Sequence, residues 1–98
     1  MNRQRAISIL KKHREALQSR GVRHAALFGS LARGEAGPKS DVDILIDVDP
    51  SAVVGIFAYA GLKRHIAGLF DGRVDVVDRE TLESRVRQSA ESDAVYAF

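Results

Sequence analysis

The sequence predicts a small α/β (α+β) domain: a short mixed β-sheet with helices packed on one face. Three observations predict it. Apolar residues recur at helical spacing in three segments, and three short apolar segments bounded by Gly and Asp read as strands. The order along the chain is helix, strand, strand, helix, strand, helix. The 98 residues suit one domain, spanning 1–98, with one modest core and one site.

Residues 3–19 read as the first helix, with Asn2 as its N-cap and Gly21 as its stop. Ala6, Ile9, Leu10, His13, Ala16 and Leu17 form its apolar stripe, and His13 reads as a boundary residue rather than a ligand. Val22 to Phe28 reads as a strand ending at Gly29. Asp41 to Val48 reads as a second strand: Val42, Ile44 and Ile46 face one way, and Asp41, Asp43, Leu45 and Asp47 the other. Asp49-Pro50-Ser51 is a turn, with Ser51 expected to cap a helix over 52–70 whose buried stripe is Val54, Ala58, Leu62, Ile66 and Leu69. Asp71-Gly72 is a turn into a third strand, Arg73 to Val77. A last helix follows over 80–92, with Leu82, Val86 and Ala90 inward. The tail Val95-Tyr96-Ala97-Phe98 is apolar for a chain end, and either packs on the domain or meets a partner.

Composition narrows the function classes. The chain has no Cys, so disulfide frameworks and thiolate zinc sites are excluded, in keeping with a reducing cytoplasm. No apolar run approaches the roughly 20 residues that a membrane span needs. The net charge of +2 hides an asymmetry: residues 1–23 carry seven Lys and Arg against one Glu, whereas 35–49 carry five acids against one Lys. The basic segment reads as a solvated helix face. No recognised DNA-reading motif accompanies it, so direct nucleic-acid binding is not expected.

The chemistry concentrates between Phe28 and Asp43. A strand ends in Gly29-Ser30 and runs into a short turn or helix. A glycine there lets backbone approach a ligand, and the amides beyond it suit phosphate oxygens. Ser30 adds a hydroxyl and Arg33 a cation. Asp41 and Asp43, two apart on a strand, share a face with Cα atoms roughly 6.5–7 Å apart. Carboxylates that close repel one another unless a cation joins them, and hard oxygen donors suit Mg²⁺. A third carboxylate would complete a two-metal site. Asp75 lies mid-strand, where an unpaired carboxylate is costly to bury; Asp78 sits at the strand end and suits a cap. Asp75 is the expected third member. Asp47 lies about 13 Å from Asp43 along the strand and reads as surface. Glu35 reads as a solvated loop residue.

Gly29-Ser30, ten residues, then Asp41-Val42-Asp43 resembles the signature of the DNA polymerase β-like nucleotidyltransferase superfamily. The longer string, Phe28-Gly29-Ser30 through Ala32-Arg33-Gly34-Glu35-Ala36 to Ser40-Asp41-Val42-Asp43-Ile44-Leu45-Ile46-Asp47, is similar to the minimal nucleotidyltransferases. Val74-Asp75-Val76-Val77 matches their third-carboxylate strand. The resemblance implies the polymerase β-like fold, Asp41, Asp43 and Asp75 as catalytic Mg²⁺ ligands, and Gly29 and Ser30 as triphosphate binders. It also implies an antitoxin that moves AMP from ATP to a hydroxyl, typically a tyrosine, of a helical HEPN toxin. With only about twenty residues after the third strand, the acceptor is expected from a partner macromolecule. The competing expectations are a catalytically weak module that neutralises a toxin by occlusion, and transfer to a small-molecule hydroxyl.

Overall fold

The basic N-terminal segment folds as two helices in the computed structural model, which describes residues 1–35, 37 and 41–98. Helix α1 spans Arg3–Lys12, with the Asn2 side chain accepting from the Arg5 amide as the sequence predicts, and α2 spans Arg14–Ser19. The single helix expected over 3–19 is interrupted at His13. Its ring Nδ1 donates to the Ile9 carbonyl at 2.9 Å, while its own amide is shared between the carbonyls of Ile9 and Leu10. A side chain competing for ladder carbonyls loosens that turn. Ala6, Leu10 and Leu17 are buried as expected; Ala16 is exposed.

Strand β1 (Val22–Phe28) leads into the short helix α3 (Gly29–Arg33), and β2 (Val42–Val48) follows. Helix α4 (Ile56–Ala67) crosses to β3 (Val74–Asp78), a 3-10 turn covers Arg79–Thr81, and α5 (Ser84–Asp93) leads to β4 (Val95–Tyr96). Among the described residues the sheet has four strands in the order β3-β2-β1-β4. It is mixed, because β1 pairs antiparallel with β2 and β4, while β2 and β3 run parallel through the α4 crossover.

Alternation sorts the side chains by face. Leu27, Ile44, Ile46 and Val76 join Leu10, Leu17, Leu62 and Ile66 in the main core, under α1, α2 and α4. Helices were expected on one face only, but α5 covers the other: Ala26 and Leu45, the alternate positions of β1 and β2, are apolar and pack with Ala90, flanked by Phe28, Leu82 and Ala94. Truncating a buried Leu of the main core to Ala would cost about 2–5 kcal/mol.

Three local expectations are corrected. Ser51 does not cap a helix: its amide and hydroxyl both donate to Asp49 Oδ1, closing a separate turn. α4 therefore starts later, after Gly55, so that Val53 is buried, Ala58 is exposed, and Val54 is 71% exposed. The last helix starts at Ser84 because Asp78 first caps the 3-10 turn through the Glu80 amide; this rotates Val86 outward while Ala90 stays buried. The tail docks on its own sheet. Val95 and Tyr96 pair with Leu27 and Ala26, the Phe98 carbonyl accepts from the Ala25 amide, and Ala97 is buried. Of its large side chains, Tyr96 alone is markedly exposed; Val95 and Phe98 pack against the core. No helix among the described residues is long and apolar enough to cross a membrane.

Candidate active site

The end of β1 is built around a glycine. Gly29 has φ +72°, a left-handed conformation that L side chains adopt at a cost. The register pairs Phe28 with Asp43, so the chain turns directly over the Asp43 side chain. A Cβ on Gly29 would lie 2.5 Å from Asp43 Oδ2 and 3.3 Å from its Cγ. Leu31 and Ala32, both buried, fasten α3 to the core, and Arg3 of α1 donates to the Ala32 carbonyl at 3.0 Å. No side chain caps the first turn of α3, which leaves its leading amides available. Ser30 is half-buried there, and among the described residues its hydroxyl has no hydrogen-bond partner. Ala36, Pro38, Lys39 and Ser40 of the motif string lie outside the described residues.

Asp41 precedes β2 and Asp43 is its second residue, so the expected strand begins one residue early. The Val42 amide donates to the Arg73 carbonyl, and the parallel register sets Asp43 against Asp75. Adjacent strands lie about 4.8 Å apart, so these two carboxylates face one another across a single strand gap. Asp75 is exposed, not buried as the sequence suggested. The same register carries β3 one residue further than expected, to Asp78. Asp43 is half-buried, and its carboxyl is held above the ordinary carboxylate range: burial is the main cause, then repulsion from Asp75 and from Asp41, with Arg33 offsetting part of it. A site that makes carboxylates repel one another is one that a cation relieves. Arg73 lies 3.5 Å from Asp41. Among the described residues no three carboxylate or imidazole groups are drawn to metal-binding distance, so the aspartates sit beside one another rather than as a closed cage. Facing carboxylates under a backbone that a Cβ would obstruct present hard oxygen donors of the kind divalent cations accept.

Arg33 lies at the far end of α3. Its Nε donates to Glu35 at 2.9 Å and its Nη1 to Asp93 at 2.7 Å, and these two hydrogen bonds hold the guanidinium firmly protonated. Glu35 is thus a partner of Arg33 rather than merely solvated. Asp78 is engaged elsewhere: it is 5% exposed, accepts from the Tyr59 hydroxyl and the Glu80 amide, and burial with that contact pushes the Tyr59 hydroxyl well above its usual range. Asp47 is paired with Arg23 at 3.2 Å. Asp93 escaped the sequence reading. The one available signal was an acid at the expected end of a helix, where the helix dipole disfavours it.

A family model described as a nucleotidyltransferase domain matches residues 10–97. The chain is 37% identical over 90 residues to the protein adenylyltransferase MntA of Thermococcus cleftensis, covering 91% of this chain and 89% of that protein. A solved structure described as a minimal nucleotidyltransferase superposes with a TM-score of 0.70 at 32% identity, covering 97% of this chain and 95% of the other. A MNT antitoxin in complex with the tri-AMPylated HEPN toxin of Shewanella oneidensis is also similar, with a TM-score of 0.67 at 20% identity over 98% of this chain and 71% of that one; at this identity it speaks for the fold alone.

Proposed function

Because the chain belongs to the nucleotidyltransferase domain family, we propose that it transfers AMP from ATP to a tyrosine hydroxyl of a HEPN-type toxin, as the antitoxin of that pair. The observation that carries this reading is Asp43, which lies beneath Gly29 at an uncapped helix start and has Asp75 opposite it on β3.

Asp41, Asp43 and Asp75 would hold Mg²⁺, two ions in the fullest arrangement, which when bound supplies charge neutralisation on the triphosphate and a more acidic acceptor hydroxyl. The leading amides of α3 and the Ser30 hydroxyl orient the phosphates, with Gly29 allowing their approach. Arg33 faces the same charge with the N–H groups that Glu35 and Asp93 leave unused. Asp75, exposed beside Asp43, takes the proton of the tyrosine hydroxyl. The tyrosine oxygen bonds to the α-phosphorus, the bond from that phosphorus to the β-phosphate bridge oxygen breaks, and pyrophosphate leaves. Catalysis on this scheme is positioning and electrostatics.

The test is incubation of the purified chain with α-labelled ATP, Mg²⁺ and the product of an adjacent small all-helical reading frame. Label on a tyrosine of that partner, with release of pyrophosphate, is the expected result. A partner silenced without label would overturn transfer in favour of occlusion.

A further inference from the structure

Resting on the nucleotidyl-transfer reading above, we propose that Asp93, at the C-terminal end of α5, is a positioning residue that holds the Arg33 guanidinium toward the triphosphate. The two residues are 60 positions apart, and their contact ties α3 to the last helix at 2.7 Å. With Nε committed to Glu35 and one Nη1 hydrogen to Asp93, three of the five N–H donors have no partner among the described residues: the second on Nη1 and both on Nη2. A planar guanidinium held at two of its nitrogens keeps a fixed orientation, and its remaining N–H groups keep fixed directions with it. That direction concerns the site, because Arg33 ends the five-residue helix whose first residue, Gly29, lies directly over the Asp43 carboxylate.

Asp93 is itself well anchored. Ala90 is buried against Ala26 and Leu45, and Arg79 grips Glu91 from the preceding turn. Immediately after Asp93, β4 pairs with β1. The docked tail thus sets where Asp93 stands, and Asp93 sets where Arg33 points. Helix stability gives no reason for an acid at this place. The last turn of α5 contains no basic residue, and a carboxylate there opposes the helix dipole. Neutralising Asp93 should therefore leave the helix unharmed. It should also favour an anionic ligand by charge alone, so a loss of ATP affinity would have the sign opposite to simple electrostatics.

The experiment is equilibrium binding of ATP with Mg²⁺ to the full chain, for wild type, Asp93→Asn, Arg33→Ala and the double variant, with a melting curve for each. We expect Asp93→Asn to weaken ATP binding about tenfold, within the usual coupling range of neighbouring groups. On the Arg33→Ala background it should change binding less than about twofold, because its route is gone. Unchanged or tighter ATP binding by Asp93→Asn overturns the proposal, as does an equal loss on both backgrounds. Should Asp93→Asn fail to fold, Asp93→Glu, which keeps the charge but moves it by one methylene, is measured instead under the same criteria. A wild-type chain that binds no ATP overturns the nucleotide reading itself, and this inference with it.

Discussion

Replacing Gly29 with Ala separates the geometry of the site from the stability of the fold. Gly29 and Gly34 bracket α3, with φ of +72° and +76°. A left-handed Ala costs about 1–2 kcal/mol at either position. For a chain of this size each kcal/mol is worth about 4–8 °C, so both variants should melt roughly 4–16 °C lower. They differ in what the new Cβ meets. At Gly34 nothing lies within 4 Å, whereas at Gly29 Asp43 Oδ2 lies at 2.5 Å. Ordinary separations of non-bonded heavy atoms begin near 3.5 Å, so the carboxylate must move by about 1 Å. It can do so by turning its side chain, which keeps the added stability cost small. A 1 Å misplacement at a reacting centre costs about 10²-fold in rate. The assay pairs thermal melts with initial rates of AMP transfer from labelled ATP at saturating Mg²⁺. Gly34→Ala should stay within a few-fold of wild type while Gly29→Ala loses about two orders of magnitude. Equal rates in the two variants would refute the reasoning, since the Gly29–Asp43 contact would then have no part in the chemistry.

The remaining expectations concern the carboxylates and the tail. Asp41→Asn and Asp43→Asn should each abolish transfer with the fold intact; a rate within a few-fold of wild type in the labelled-ATP assay would remove that residue from the site. Without divalent metal, Asp43→Asn should melt at or above wild type near neutral pH. A carboxyl raised above its unfolded value makes the folded state less stable as pH climbs through the folded value, so the gain should vanish in melts below the ordinary carboxylate range. Asp75→Ala should stop transfer and leave melting nearly unchanged, whereas Asp78→Ala should lower stability by about 1–3 kcal/mol by stranding the Tyr59 hydroxyl and the Glu80 amide; the two variants compared in one melt and one transfer assay decide it. Deleting 95–98 should lower the melting temperature, because the edge of β1 loses its partner and Ala97 leaves the core; an unchanged melt would show that the tail contributes nothing to stability.

What the amino-acid sequence determined by itself is local. Period-two alternation puts Asp41 and Asp43 on one face wherever β2 lies, and Gly29-Ser30 after an apolar strand marks a turn with free amides. The longer helices and three of the strands followed from the same periodicities, and the mixed sheet from their order, whereas β4 was not legible as a strand. Boundaries failed where side chains competed for backbone groups: His13 for the Ile9 carbonyl, Asp49 for Ser51, Asp78 for the Glu80 amide. Tertiary structure decided the contacts between distant residues. Whether Asp75 or Asp78 stands beside Asp43 depends on the slide of β3 along β2, which no spacing within β3 reveals. The tail could pair with β1 only because β1 kept an open edge. Asp93 meets Arg33 across 60 residues because α5 ends where α3 does. Periodicity constrains neighbours a few residues apart; register, edge pairing and long-range ion pairs are set by packing the whole core, and the geometry around Asp43 is built from those.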